Sequence, residues 1–95
     1  MNRRWHSVPT GPVVYRCFDA DGRLLYIGSS RNMPARLGSH ISNTAWWSEV
    51  DRLSYELHAT LAEARAAEWA AITSETTVYN RRGTDRDRSF RRVSV

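Results

Sequence analysis

The sequence has no lysine, a single cysteine and no long apolar run. Cys17 alone excludes an internal disulfide, a CxxC redox pair and any zinc site that needs two thiolates. No apolar stretch approaches the ~18 residues of a membrane-spanning helix, and none follows the first residues as it would in a signal peptide. These absences predict a cytoplasmic protein with no membrane partner.

A chain of 95 residues has room for one domain with one small core. Its hydrophobic content of 41% and charged content of 25% are close to globular averages. A fully disordered chain and a fibrous chain are therefore both disfavoured.

The net positive charge lies at the C-terminal end of the chain. Residues 1–80 carry eight arginines and eight acidic residues, whereas residues 81–95 carry six arginines and two aspartates. A basic segment of this kind is either an arm that neutralises phosphates or a solvated end. Its candidate phosphate contacts are Arg81, Arg82, Arg86, Arg88, Arg91 and Arg92.

A cluster of turn-forming residues at 9–12 predicts that the folded unit starts near Val13. We therefore divide the chain into an N-terminal arm at 1–12, a folded domain at 13–80 and the basic tail at 81–95.

Two segments rich in β-branched and aromatic residues, 13–18 and 24–28, flank an Asp-Gly pair and predict a β-hairpin. The serines that follow, Ser29 and Ser30, are expected in a turn, where hydroxyls cap backbone groups.

The length of the hairpin loop decides whether Tyr15 and Tyr26 share a face of the sheet. A two-residue or a four-residue loop places them on one face, whereas a three-residue loop with Gly22 in a bulge places them on opposite faces. With a two-residue loop Tyr15 lies opposite Gly28, whose missing side chain would leave open space beside the ring.

The next segment predicts a short amphipathic helix at about 33–42. Asn32 is a good N-cap, and the proline at 34 falls in the first turn, where its missing N–H costs little. Arg36 and His40 share one face of this helix. The neighbouring stripe, with a spacing of four, is expected to be buried and consists of Met33, Leu37 and Ile41.

After this helix, Asn43 or Thr44 is suited to cap a further turn that carries Trp46 and Trp47. Polar and apolar residues then alternate through 52–58, which predicts a third strand with one buried face. The apolar residues of that face are Leu53, Tyr55 and Leu57.

A capping box at 60–63 opens an alanine-rich helix that extends to about residue 73. Helical spacing places Glu68 on a stripe with Leu61, Ala64 and Ile72. A carboxylate facing the core costs roughly several kcal/mol unless it is paired or binds a metal. The competing assignment leaves Glu68 on the flank and turns inward Ala66, Ala67 and Ala70.

In their order along the chain, these residues resemble the GIY-YIG nuclease family. The matching residues are Val13-Val14-Tyr15, Tyr26-Ile27-Gly28, Ser30, Asn32, Arg36, His40, Glu68 and Asn80. The resemblance covers about residues 13–80. It departs from the family at Val13 and Val14, which stand where the family has glycine and isoleucine.

The resemblance implies hydrolysis of DNA phosphodiesters with one divalent ion, Mg²⁺ or Mn²⁺. It implies a small α/β (α+β) fold, in which a three-stranded antiparallel sheet is flanked by helices. Glu68 would bind the metal, and Arg36 would hold the scissile phosphate and stabilise the charge of the transition state, with Ser30 nearby. Gly28 and Asn80 would support the site, Asn80 by tying the chain end to the sheet.

The resemblance also makes Tyr15 the candidate general base, with Tyr26 beside it and His40 as its hydrogen-bond partner or proton acceptor. A tyrosine titrates near ~10, so it acts at neutral pH only if Arg36, the metal or a hydrogen bond favours the phenolate, or if its proton passes on to His40. Which of the two tyrosines is the base stays open.

The sequence thus predicts a stand-alone DNA endonuclease domain. This prediction is compatible with a homodimer, or with a partner protein that supplies specificity. The alternative is a nucleic-acid-binding module or regulator that keeps the fold without cleaving, and a less favoured one is cleavage of RNA. The complete set of two tyrosines, arginine, histidine and glutamate favours catalysis, because a binding module has no need to hold a buried carboxylate.

Overall fold

The computed structural model describes residues 8–80. Most of the predicted N-terminal arm and the whole basic tail, with its six candidate arginines, lie outside the described residues. Within 8–80 no helix is both long enough and apolar enough to cross a membrane.

The described residues form a three-stranded antiparallel sheet with a helix on each face. Its strands are β1 (Val13–Phe18), β2 (Leu24–Ser30) and β3 (Arg52–Leu57), in the order β2-β1-β3. β1 pairs with both neighbours and is covered on both faces, which explains its nearly continuous apolar sequence. The prediction of a turn at Ser29 and Ser30 is wrong, because both residues still pair with β1.

The turn between β1 and β2 is the three-residue form. The Asp19 N–H donates to the Arg23 carbonyl at 3.0 Å, and the Gly22 N–H donates to the Asp19 carbonyl at 3.0 Å. Gly22 has a φ of 84°, a left-handed conformation that glycine adopts without steric cost. Taken alone, this loop would place Tyr15 and Tyr26 on opposite faces.

A second irregularity in the hairpin reverses that effect. The register shifts between Cys17 and Phe18 and leaves Leu25 as the extra residue of β2. Leu25 and Tyr26, although consecutive, both pack in the core cluster that contains Tyr15. Beyond this bulge the register is that of the two-residue alternative, and the two tyrosines share one face.

The first helix, α1 (Met33–Asn43), begins where the sequence predicts. The Asn32 side chain accepts a hydrogen bond from the Ala35 N–H at 3.2 Å, and a proline occupies the first turn. Its buried face differs from the prediction, because Ile41 is 61% exposed whereas His40 is only 4% exposed. Met33 and Leu37 are buried as expected, and the helix turns His40 inward in place of Ile41.

A short 3-10 helix, Ala45–Glu49, follows α1 and places both of its tryptophans against the core. In β3, Leu53 and Tyr55 also pack against the core, as predicted. Leu57 is 68% exposed, contrary to the prediction, because it is the last residue of an edge strand.

The second helix, α2 (Leu61–Ser74), is capped by Thr60, whose hydroxyl accepts a hydrogen bond from the Glu63 N–H at 3.1 Å. Its buried residues are Ala64, Glu68 and Ala71. This confirms the core-facing position of Glu68. Of the alanines in the competing assignment, Ala66 and Ala70 are exposed, and Ala67 packs partly against the core. α2 packs on the face of the sheet that carries Val14 and Ile27.

Candidate active site

Two tyrosines, an arginine and a histidine meet on the face of the sheet covered by α1. The Tyr15 hydroxyl lies 2.8 Å from Nε2 of His40 and accepts a hydrogen bond from Nε of Arg36 at 3.0 Å. The Tyr26 ring centroid lies 6.1 Å from that of Tyr15 and 5.6 Å from that of His40. Residues 15, 26, 36 and 40 are thus brought together by the hairpin register and by one face of α1.

The described residues form an open pocket beside this cluster. Tyr26, Arg36 and His40 line an open pocket of about 330 Å³, together with Thr44 and Trp46. Tyr15 has no exposed surface, and its hydroxyl is enclosed by its two partners. A water molecule can therefore reach the Tyr15 oxygen only after Arg36 or His40 moves.

Tyr15 is protonated at neutral pH in this arrangement. Burial raises the pKa of Tyr15 well above its usual value, the nearby Tyr26 raises it further, and Arg36 offsets only part of the rise. Of the conditions that would favour the phenolate, the arginine and its hydrogen bond are therefore too weak in the unbound chain. The Tyr15 hydroxyl is within hydrogen-bonding distance of His40 Nε2, the contact that transfer of its proton would need.

The histidine is neutral, whereas the arginine stays charged. Burial, and secondly the charge of Arg36, lower the pKa of His40 to about 4. Burial also acts to lower the pKa of Arg36, but interactions with Tyr15 and Tyr26 outweigh it and raise that pKa overall. Neutral His40 therefore has one ring nitrogen that can accept a proton.

Two residues not assigned to the site from the sequence hold the His40 ring. Trp47 stacks on it, with centroids 4.9 Å apart and an interplanar angle of 5°, and the Thr44 hydroxyl lies 2.8 Å from His40 Nδ1. The sequence indicates for Thr44 only the role of a helix cap. The spacing of four residues between His40 and Thr44, at the end of a helix, is the signal that points to their contact.

Gly28 supports the site by leaving room for Tyr15. The expected open space above Gly28 is filled by the Tyr15 ring, and a Cβ at position 28 would overlap that ring. A glycine is therefore required here for packing.

Replacing Gly28 with alanine should destabilise the domain by roughly 1–3 kcal/mol, because the Tyr15 ring would have to shift within a closed core. Urea unfolding of Gly28→Ala measures this loss. The matched control is Gly38→Ala in α1, where an added Cβ meets nothing within 4 Å. That control should be neutral or stabilising by up to ~1 kcal/mol. Equal stability of Gly28→Ala and wild type would contradict the packing role.

Glu68 reaches the same end of β2 from the opposite face of the sheet. Its side chain is 8% exposed and accepts a hydrogen bond from the Ser29 hydroxyl at 2.5 Å. Ser29 directly follows Gly28, the residue beneath the Tyr15 ring. The glutamate and the tyrosine cluster thus flank consecutive residues at the C-terminal end of an edge strand.

The donor set around Glu68 fits an ion that binds through few protein ligands. Within residues 8–80, no group of three or more His, Cys, Asp or Glu side chains is placed to hold a metal ion. Mg²⁺ commonly keeps several waters and takes one or two carboxylates plus phosphate oxygens. Glu68, oriented by the Ser29 hydroxyl, fits such an ion together with a bound phosphate.

The remaining described candidates hold the backbone around the site. Asn80 ties the chain to β2, since its Oδ1 accepts from the Ile27 N–H at 2.6 Å and its Nδ2 donates to the Ile27 carbonyl at 3.0 Å. The Ser30 hydroxyl accepts from the Asn32 N–H at 3.0 Å, which fixes the entry into α1.

The structure is thus a small α/β domain whose sheet carries a hydrogen-bonded cluster of tyrosine, arginine and histidine beside an open pocket. Residues 11–82 match the GIY-YIG catalytic domain, and the chain belongs to this family. The family and the fold predicted from the sequence are thereby confirmed.

The chain is similar to UvrABC system protein C from several bacteria. It is 37% identical over 69 residues to the protein of Paenarthrobacter aurescens and 28% identical over 75 residues to that of Aliarcobacter butzleri. The matches cover 73% and 79% of this chain but 9% and 12% of those relatives. The chain therefore spans about a tenth of their length.

The fold is similar to the GIY-YIG N-terminal endonuclease domain of UvrC from Thermotoga maritima. The TM-score is 0.68 at 25% sequence identity, over 78% of this chain and 88% of that one. That crystal structure is described as bound to its catalytic divalent cation, magnesium.

Proposed function

We propose that this domain is a metal-dependent endonuclease that hydrolyses DNA phosphodiester bonds. The observation that carries the proposal is the hydrogen-bonded set of Tyr15, Arg36 and His40 beside an open pocket, in a chain of the GIY-YIG catalytic domain family. The magnesium of the Thermotoga domain supports the choice of cation.

Arg36 is the proposed phosphate ligand. Its guanidinium lines the pocket, keeps its charge and can donate two parallel hydrogen bonds to a phosphate. A charged phosphate oxygen is a stronger acceptor than the Tyr15 hydroxyl that Nε now contacts. Binding of the phosphate would therefore draw Arg36 away from Tyr15 and open the tyrosine oxygen to water.

Tyr15 and His40 are proposed to move the proton of the attacking water. Tyr15 accepts a proton from the water as its own proton passes to Nε2 of His40. The water oxygen forms its bond to phosphorus while the bond to the leaving sugar oxygen breaks, and that oxygen then takes a proton from solvent. The bound phosphate offsets the charge of Arg36, the second cause of the low pKa of His40, so His40 becomes a better base.

Glu68 is the proposed metal ligand. Ser29 fixes one of its carboxylate oxygens and so orients the group at the end of β2. A divalent ion bound there would neutralise charge on the phosphate oxygens as a Lewis acid.

The test is incubation of the purified chain with supercoiled, branched and single-stranded DNA, in the presence of Mg²⁺, Mn²⁺ or EDTA. We expect cleavage of at least one substrate with either metal and none with EDTA. Binding of DNA without cleavage of any substrate would overturn the proposal in favour of a non-cleaving module.

Deleting residues 83–95 should weaken DNA binding and flatten its salt dependence. The deleted segment carries four arginines and two aspartates, whereas the described residues carry six arginines and eight acids. If all four arginines contact phosphates, the slope of log affinity against log salt falls by up to ~3.6, at ~0.9 per phosphate. Full-length and truncated chains are compared with Glu68→Gln in both, to prevent cleavage. An unchanged slope would make the tail a solvated end.

A further inference from the structure

We propose that Thr44 is a positioning residue of this site, whose hydroxyl holds His40 in the tautomer with the proton on Nδ1. Nε2 is then kept as the acceptor that faces Tyr15. The catalytic part of this inference rests on the proposed function, whereas the tautomer itself can be measured without DNA or metal.

The hydrogen bonds around Tyr15 select this tautomer. Arg36 can only donate, so the Tyr15 oxygen accepts from its Nε, and the hydroxyl proton of Tyr15 is directed to His40 Nε2. A neutral imidazole that accepts at Nε2 carries its proton on Nδ1, 2.8 Å from the Thr44 oxygen. In the other tautomer, two N–H groups would point at the Tyr15 oxygen, and neither partner would accept its proton.

The position of Thr44 in the chain supports a dedicated role. It is the N-cap residue of the 3-10 helix, where a threonine side chain usually accepts a hydrogen bond from a backbone N–H. Its side chain makes no such capping bond in the described structure and lies instead at His40 Nδ1. The hydroxyl therefore contacts the imidazole and does not cap the helix.

Trp47 complements Thr44 from the same short segment. Its indole lies parallel to the His40 ring at 4.9 Å and fixes the plane of the imidazole, whereas Thr44 fixes the position of the proton within that plane. Without the hydroxyl, the Nδ1 proton of His40, a residue only 4% exposed, would lose its hydrogen-bond partner. The balance between the two tautomers would then shift towards Nε2–H.

The first experiment is a long-range ¹H–¹⁵N NMR spectrum of the histidine side chains at pH 7, in the unbound chain without metal. His40 is assigned by the signals that disappear in His40→Gln. We expect the wild-type proton on Nδ1. A wild-type His40 protonated at Nε2 would overturn the proposal.

The second experiment compares Thr44→Val, which keeps the shape and removes the hydroxyl, with Thr44→Ser, which keeps the hydroxyl. Thr44→Val should gain Nε2–H tautomer and lose about tenfold in single-turnover cleavage, with DNA affinity unchanged. Thr44→Ser should keep the Nδ1–H tautomer of His40 and the wild-type rate of cleavage. The control is Thr73→Val, whose hydroxyl bonds only the Ala70 carbonyl on the exposed side of α2 and should change neither readout.

An unchanged tautomer in Thr44→Val would overturn the proposal, whether or not cleavage slows, because any loss of rate would then have another cause. If the wild-type chain cleaves no DNA, the proposed function fails. The NMR comparison of Thr44→Val with wild type still decides the role of Thr44.

Discussion

Glu68→Gln is expected to reduce metal-dependent cleavage by more than ~100-fold while leaving the fold intact. The amide has nearly the volume of the carboxylate and can still accept the hydrogen bond from the Ser29 hydroxyl. It lacks the negative charge that binds a divalent cation. Single-turnover cleavage measured over a range of Mg²⁺ concentrations tests this expectation.

The free energy of unfolding of the metal-free Glu68→Gln chain should stay close to that of wild type. The amide keeps the shape of the side chain and can keep the hydrogen bond from the Ser29 hydroxyl, so the packing around residue 68 is preserved. The matched control is Glu63→Gln, on the exposed side of the same helix, which should cleave as wild type does. Full activity of Glu68→Gln at low Mg²⁺ would disprove the ligand assignment.

The position of Glu68 is the part of the site that local sequence rules predict well. Helical spacing indicated that this carboxylate faces the core, and the buried stripe of Ala64, Glu68 and Ala71 agrees. The caps at Asn32 and Thr60 were equally predictable, because each depends on residues within three positions of the helix start.

The buried face of α1 was not predictable in the same way. Hydrophobic periodicity favours Ile41 as the inward residue, yet His40 is buried and Ile41 is exposed. A buried histidine is stable only if both ring nitrogens have partners. Those partners are Tyr15, distant in the sequence on β1, and Thr44, beyond the end of the helix. Periodicity along one segment contains no information about them.

The hairpin shows a second limit of local rules. The turn residues correctly allow a three-residue loop. The register shift between Cys17 and Phe18, which reverses the effect of that loop on the two tyrosines, is not indicated by any local sequence pattern. The bulge turns Leu25 and Tyr26 towards one core cluster, so core packing sets the register. The shared face of the two tyrosines therefore follows from tertiary structure.

Arg36→Lys is expected to lose about 100- to 1,000-fold in single-turnover cleavage, nearly as much as the neutral Arg36→Gln. Lysine keeps the positive charge but offers a single ammonium in place of a planar group with several donors. It can replace neither the Nε hydrogen bond to Tyr15 in the unbound chain nor the two parallel hydrogen bonds by which a guanidinium holds a phosphate. The control is Arg65→Lys on the exposed side of α2, which should leave cleavage unchanged.

The pKa of His40 distinguishes the effect of the charge of Arg36 from the effect of the shape of its guanidinium. Arg36 is the second cause of the lowered pKa of His40, after burial. Arg36→Lys should therefore keep that pKa near about 4, whereas Arg36→Gln should raise it, without reaching 6.5, because burial remains. An NMR titration of the His40 imidazole in the three chains measures both values. If Arg36→Lys loses cleavage while the pKa of His40 is unchanged, catalysis depends on the shape of the guanidinium. If this variant cleaves DNA as fast as wild type does, only the positive charge of Arg36 matters, and the proposed two-bond contact with phosphate is wrong.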